Sequence, residues 1–239
     1  STPPTFAHGV IDSIRSAATA MGTSSEELLG TAKLFVHGST VVDNTLLTQE
    51  GARTALITTA GFEDTLRVTR GAYGRWAGLP EGQIKHPVKT ARPEPLVNIT
   101  HVRGVPERVD YKGAILEPLD IEATEAIVRE LVSEHDIESI AVCLLWSFRN
   151  TEHECLIRDL IERIAPGCYV SLSSEIAPLP GEYERTSTTV INAYAGKIAQ
   201  DYLGSLQELL VNEGYDGPIL VMQGHGGLLP ITESASRAV

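Results

Sequence analysis

The chain has 239 residues, 42% of them hydrophobic and 21% charged, which is enough apolar material to bury a sizeable core in one large domain or two modest ones. That composition excludes a disordered chain. Its 31 acidic and 19 basic residues leave a formal net charge of -12, which argues against nucleic acid or a membrane as partner, since both need a basic face. A local phosphate pocket built from backbone N–H groups and one or two cations stays open. No apolar run approaches the roughly 18–20 residues of a membrane span. Ser1-Thr2-Pro3-Pro4 lacks the basic-then-apolar order of a signal peptide, so the expected location is the cytoplasm. Cys143, Cys155 and Cys168 match no zinc or Cys-x-x-Cys spacing. Cys143, inside an apolar run over 140–146, reads as a small buried hydrophobe.

Segments of helical period alternate with short β-branched runs, the pattern of α/β architecture. Val10, Ile11, Ile14, Ala17, Ala18 and Met21 share one face of a helix over 6–21, which Gly22 stops. A second helix starts at Ser24-Ser25-Glu26-Glu27 and ends near Gly30. A short strand over 34–36 runs into His37-Gly38-Ser39-Thr40, a helix over 41–49 follows, and TALITT over 54–59 is a buried strand. After Gly61 a helix is predicted over 62–68. The stretch 71–106 then shows no period and reads as an irregular excursion, a functional loop or an interface segment carrying Tyr73 and Trp76. Lys112-Gly113 splits 105–111 from 114–118 as a hairpin. A helix over 121–134 and a strand over 137–146 come next, then a helix over 151–164 with a capping box from Thr151 to Glu154. A strand over 169–173, a long helix over 183–212 and a strand over 218–222 complete the pattern. Two prolines and a glycine over 176–181 suggest a boundary between a first lobe, 1–175, and the start of a second, 176–239.

Two segments share a physical form: a buried strand ending in small hydrogen-bonding residues. The first is His37-Gly38-Ser39-Thr40 with Asn44 a turn later; the second is Gln223-Gly224-His225-Gly226-Gly227. In open α/β sheets ligands sit beyond the carboxyl ends of strands, and glycines there let backbone approach a phosphate or carboxylate. Neither segment is a dinucleotide fingerprint or a P-loop. His37 and His225 read equally as turn caps or as site residues. His8, His101, His135 and His153 read as surface residues, and His86 gives no reading. His153-Glu154-Cys155 points three candidate ligands in different directions on a helix, so no metal site is expected from this chain alone. Glu182-Tyr183-Glu184-Arg185-Thr186 opens the long helix. It is either a solvated helix start with local ion pairs or a polar rim in which Arg185 holds an anion by two parallel hydrogen bonds.

The stretch FVHGSTVVDNTLLTQEGARTALITTAGFEDTLRVTRG resembles the HGTT–N–LLE–GA–ALITT–GF–D block of the hydantoinase A/oxoprolinase family. SSEIAPLPGEYERTSTTVINAYAGK is similar to that family's E-Y-E-R-T segment followed by N-A-Y, and LVMQGHGGLLPITESASRAV resembles its strand ending in a Gly-Gly pair. The resemblance covers nearly the whole chain. It implies an actin/Hsp70-like, ribonuclease-H-like ATPase fold, incomplete here, with mixed sheets flanked by helices. It also implies coupling of ATP hydrolysis, with Mg2+, to phosphorylation of an amide or enol oxygen.

TRGAYGRWAGL, IKHPVKT and the His225-Gly226-Gly227 triplet resemble the ketone carboxylase branch, of acetone and acetophenone carboxylase type. The implied function is part of an ATP-dependent carboxylase subunit that activates a ketone for reaction with bicarbonate beside a hydantoinase B-like partner subunit. The alternatives are a hydantoinase or 5-oxoprolinase type hydrolase of a cyclic amide, and a non-catalytic docking domain. By motif position, His37, Gly38, Ser39, Thr40 and Asn44 would lie beside nucleotide or substrate. Gln223, His225, Gly226 and Gly227 would face them from the other lobe, Glu184 and Arg185 would hold polar groups at the boundary, and His225 is the candidate general base. The family's D-x-G-G-T phosphate loops do not occur in these residues, so the expectation is an inner third of a longer subunit, inactive by itself.

Overall fold

β-branched and aliphatic runs become strands where neighbours can bury both of their faces. In this computed structural model, which describes residues 6–69, 80–84, 94–224 and 226–237, the strands are β1 (Phe35–His37), β2 (Thr54–Thr59), β3 (Val102–Val105), β4 (Arg108–Val109), β5 (Ile115–Glu117), β6 (Ser139–Cys143), β7 (Tyr169–Leu172), β8 (Ile219–Met222) and β9 (Leu228–Pro230). They form a parallel four-stranded sheet ordered β3-β2-β6-β7, a three-stranded sheet ordered β1-β8-β9, and the β4-β5 hairpin. In the second sheet β8 runs parallel to β1 and antiparallel to β9. The architecture is α/β with mixed sheets flanked by helices, as the sequence pattern predicts.

Residues 52–194 form one compact unit and residues 1–51 with 195–239 the other. In the 52–194 unit, TALITT is buried at all six positions because β3 and β6 flank it. Its threonines carry hydroxyls into this core without loss, since Thr58 donates to the Cys143 carbonyl at 2.9 Å and Thr54 to the Ala52 carbonyl at 2.8 Å. One face of the sheet meets helices Ile121–His135 and Glu152–Ile164, whose Val128, Leu131, Ile157 and Ile161 pack with Ile57, Ile140 and Val142. The other presents Leu56, Ala141 and Cys143 to Val97, Val190 and Ala193. Asp120 caps the first of these helices by accepting from the Ala123 N–H at 2.9 Å.

The capping box expected at Thr151 is not formed. Thr151 makes no side-chain cap bond, Asn150 accepts the Glu152 N–H instead, and Glu154 is wholly buried with other partners. The excursion is shorter than expected as well. A 3-10 turn over Ile99–His101 leads into β3, which the sequence does not announce, while Tyr73, Trp76 and His86 lie outside the described residues.

In the other unit, Ala7 and Ile11 of helix Phe6–Met21, Leu29, Leu203, Leu206, Leu210 and Tyr215 pack beneath Ile219 and Val221 of β8. Ser24 caps helix Ser25–Thr31, accepting the Glu27 N–H at 3.1 Å. Glu213 ties three segments together: it pairs with Arg15 and accepts from the Ser25 hydroxyl at 2.8 Å. The 31-residue helix Glu182–Asn212 gives its first part to the 52–194 unit and the remainder to this one.

These units do not follow the expected 1–175 and 176–239 division. Residues 195–239 pack with 1–51 because β8 pairs with β1, and the proline-glycine break over 176–181 falls inside the 52–194 unit. Among the described residues no helix is long and apolar enough to cross a membrane.

Candidate functional site

Parallel pairing matches Phe35, Val36 and His37 of β1 with Ile219, Leu220 and Val221 of β8. Both strands therefore end at the same margin of one sheet. Gly38, Ser39 and Thr40 leave β1 beside the point where Gln223 leaves β8, so the two sequence-predicted segments are neighbours in one unit. They do not face each other from separate lobes. The reason is local: a β-branched and aliphatic run on each side buries one face on the same core.

His37 is half-buried, with its Nε2 2.8 Å from Tyr202 Oη. Burial pushes the imidazole below its usual pKa, so the ring is neutral at physiological pH. Ser39, Thr40 and Asn44 are exposed. The Ser39 hydroxyl accepts the Val41 N–H at 3.2 Å, and the Asn44 amide donates to Thr40 Oγ1 at 3.3 Å as the helix Val41–Thr48 begins.

From the other strand, Gln223 donates to the Val221 carbonyl at 3.2 Å and to Ser234 Oγ at 3.0 Å. A turn closes by Gly226 N–H to the Gln223 carbonyl at 2.9 Å. Gly226 and Gly227 take φ of 87° and 94°, which is why glycine stands at both. A Cβ added at Gly38, Gly224, Gly226 or Gly227 would meet nothing within 4 Å, so this margin is open backbone. His225 lies outside the described residues. Hydroxyls, one amide and unobstructed glycine backbone are neutral donors suited to phosphate or carboxylate oxygens, and so fit an ATP phosphate. Among the described residues no cluster of His, Cys, Asp or Glu could hold a metal ion, so Mg2+ would depend on the nucleotide's own oxygens and water.

Glu184 and Arg185 belong to the 52–194 unit and do different things. Arg185 is only 2% exposed. Its Nη1 donates to Ser147 Oγ and, at 3.0 Å, to Ser173 Oγ, while its guanidinium carbon lies 5.4 Å from the Phe148 ring centre. Ser173 links it to a carboxylate, donating at 2.6 Å to Glu154 Oε1. Glu154 also accepts the backbone N–H groups of Leu144 at 3.0 Å and Ser174 at 2.9 Å. Arg185 thus spends its Nη1 donor inside the unit, while its buried Nε has no hydrogen-bond partner among the described residues.

A second buried pair lies alongside: His153 Nδ1 is 2.8 Å from Glu107 Oε2, and Thr59 donates to Glu107 Oε1. His153, expected at the surface, is 3% exposed because its helix face turns toward the sheet. Glu184 is exposed and helps line a cavity of about 360 Å³ together with Gly61, Phe62, Asp64, Thr65 and Tyr183. That cavity lies beyond the carboxyl end of β2, and its ring and carboxylate lining differs from the neutral margin of β1 and β8.

Sequence reasoning missed Tyr202, Ser234, Ser147, Ser173 and Glu107. Tyr202 is one of three tyrosines on the long helix, with Tyr183 and Tyr194, and nothing in the sequence alone set it apart.

A strand-end site on mixed α/β sheets defines a class, and comparison places the chain within it. The model of the hydantoinase/oxoprolinase N-terminal region matches residues 1–165 and the hydantoinase/oxoprolinase model matches 185–239. The chain belongs to the hydantoinase/oxoprolinase family. The interval between the two matches contains the proline-glycine break over 176–181. The acetophenone carboxylase gamma subunit of Aromatoleum aromaticum is 32% identical, over 99% of this chain and 33% of that protein. The nucleotide-free structure of acetone carboxylase, an enzyme of ATP-dependent acetone carboxylation, superposes with a TM-score of 0.85 at 28% identity, over 100% of this chain and 34% of that one. The ATP-dependent caprolactamase of Pseudomonas jessenii gives 0.78 at 27% identity, over 93% and 31%. The fold is the actin-like ATPase fold of these neighbours. The chain spans about a third of the length of the curated relatives it matches.

Proposed function

We propose that these residues are part of an ATP-dependent carboxylase subunit that activates a ketone, through its enol, for reaction with bicarbonate in a hetero-oligomer with a hydantoinase B-like partner. The observation that carries this reading is the adjacency of the β1 and β8 ends, where exposed hydroxyls and open glycine backbone meet at one sheet margin. Similarity to acetophenone and acetone carboxylase subunits supports the ketone over other carbonyl substrates. ATP would supply the phosphoryl group that turns an enol oxygen into an activated one. The chain's own part is to bind and orient. Ser39, Thr40 and Asn44 offer hydrogen bonds to phosphate or substrate oxygens, and Gly38, Gly226 and Gly227 let those oxygens approach the main chain. His225 remains the proposed general base from the β8 side. For the whole subunit we propose a first lobe over 1–175 and the start of a second over 176–239, a division read from the proline-glycine break and distinct from the two compact units of these residues.

A second reading, hydrolysis of a cyclic amide, is favoured by the similarity to caprolactamase. One experiment separates them. ATP turnover by the subunit carrying these residues, assembled with its partner, is measured with acetophenone or acetone and with caprolactam, each with and without bicarbonate. Turnover that needs both ketone and bicarbonate supports the carboxylase; turnover with caprolactam and no bicarbonate overturns it in favour of the hydrolase. For the 239 residues by themselves, the expected ATP turnover equals that of a heat-killed control, and a measurable rate above it sinks that expectation.

A further inference from the structure

On the 52–194 unit three aromatic rings and two cations gather at the surface. The turn after β6 holds Trp146 and Phe148 with ring centres 5.5 Å apart, and Tyr111, at the tip of the β4-β5 hairpin, meets Trp146 edge-on at 6.4 Å. Lys112 Nζ lies 5.4 Å from the Tyr111 ring centre, and the Arg149 guanidinium carbon 5.7 Å from that of Phe148. Tyr111 is 61% exposed, and Lys112 and Arg149 are exposed beside it. Among the described residues neither cation pairs with a carboxylate.

The patch is held in place by the unit beneath it. Ser147, between Trp146 and Phe148 in sequence, is buried and accepts from Arg185, whose guanidinium carbon lies 5.4 Å from the Phe148 ring centre. Asn150 donates to the Gly113 carbonyl at 3.0 Å. A Cβ added at Gly113 would come within 3.3 Å of the Arg149 carbonyl oxygen, so hairpin tip and turn meet backbone to backbone. Trp146 takes φ of 57°, a left-handed conformation that a bulky side chain adopts only at a cost.

Tyr, Trp and Arg anchor protein interfaces: rigid rings lose little entropy on contact, and a guanidinium holds a carboxylate by two parallel hydrogen bonds. In a chain of net charge -12 a local cationic face selects an acidic partner, while the rest of the surface repels a second copy of the same chain. Two cations match one or two carboxylates; a nucleic acid needs a longer basic face.

We propose that Tyr111, Lys112, Trp146, Phe148 and Arg149 form a docking surface for an acidic segment of the partner subunit, its carboxylates on Lys112 and Arg149 and its aliphatic side chains on the rings. The proposal rests on the reading that the subunit works in a hetero-oligomer.

The test uses the subunit carrying these residues, produced together with its partner subunit. A carbodiimide, which joins a lysine amine to a carboxylate without a spacer, is applied to the complex. Mass spectrometry of the digest is expected to show Lys112 joined to an aspartate or glutamate of the partner, and a digest without such a link overturns the proposal. The dissociation constant is expected to rise about tenfold or more in the double variant Lys112→Glu with Arg149→Glu, less in Tyr111→Ala, and with added salt in the parent. Both cations are exposed, so thermal unfolding of the variant should match the parent. The neutral pair Lys112→Gln with Arg149→Gln gives a loss in the same direction without reversed charge. An unchanged dissociation constant in both double variants overturns this proposal alone. Displacement of the partner by a single-stranded oligonucleotide overturns it in favour of a nucleic-acid surface. A parent subunit that binds no partner overturns it together with the hetero-oligomer part of the carboxylase reading. No readout uses nucleotide or ketone, so the choice between carboxylase and hydrolase stands apart from the result.

Discussion

The two compact units handle polar residues in opposite ways. In the 52–194 unit, Arg185, Glu154, His153 and Glu107 are nearly or wholly buried, and the hydrogen bonds they make run to partners inside the unit, with the Arg185 Nε left unpartnered among the described residues. In the unit of 1–51 and 195–239, Ser39, Thr40, Asn44, Gly226 and Gly227 are exposed at the ends of two paired strands. A buried charge must be satisfied by the fold and is then occupied, whereas an exposed hydroxyl at a strand end can exchange water for a ligand at little cost. Charge alone therefore draws the eye to the 52–194 unit, and exposure to the neutral margin of β1 and β8.

The contrast is broken hardest at Glu154. Replacing it by alanine strips the acceptor from two backbone N–H groups and from the Ser173 hydroxyl that Arg185 Nη1 also bonds. The expected loss is about 3–5 kcal/mol, read from urea unfolding. A loss below about 1 kcal/mol would show that the network is dispensable. Gly226→Ala is next: φ of 87° is costly for any residue with a Cβ, so about 1–2 kcal/mol is expected, with no clash because the space is open.

Gly38→Ala sharpens the comparison, since Gly38 has neither a positive φ nor a neighbour within 4 Å of an added Cβ. Stability should stay within about 0.5 kcal/mol. Nucleotide affinity of the assembled subunit, by calorimetry, should fall about tenfold, roughly 1.4 kcal/mol. Equal affinity would remove the Gly38 backbone from the binding margin.

The smallest effect is in pH. Burial lowers the pKa of His37 below 6.5 in the folded chain, so the unfolded chain binds the extra proton first. Its contribution to stability is complete above about pH 6.5 and is lost as pH falls through the folded pKa. His101 carries a shift of the same direction, chiefly from burial, in the other unit. Comparing unfolding at pH 7.5 and pH 5.5 for His37→Gln and His101→Gln assigns the slope to each unit. A slope unchanged in both variants would exclude these two histidines as its source.

Local patterns were readable wherever one element decides its own form. TALITT, the helix Ile121–His135 and the Lys112-Gly113 turn all follow from a few consecutive residues. The margin of β1 and β8 was readable as two separate motifs, because small polar residues after a buried run signal a strand end. Their adjacency was not, since pairing across more than 180 positions is set by which cores the strands share. The same limit hid β3 and β9, whose partners create them. Glu154 misled for another reason: its spacing from Thr151 satisfies a capping box, but a carboxylate that can collect two N–H groups and a serine inside the core is held more strongly there. Tyr202 escaped because its hydrogen bond is to a histidine in a different segment.

All three cysteines of the chain, Cys143, Cys155 and Cys168, lie in the 52–194 unit. Cys143 is the buried one, its thiol pushed up in pKa chiefly by burial and holding a contact from the Thr186 hydroxyl at 3.2 Å, while Cys155 and Cys168 are partly accessible. An alkylating reagent can therefore reach two thiols through small fluctuations, but Cys143 only when the centre of the four-stranded sheet opens. Without any substitution, the rate at which the third thiol disappears is a clock for the opening of that sheet. The unit bearing β1 and β8 keeps no such time, because it holds no thiol to react.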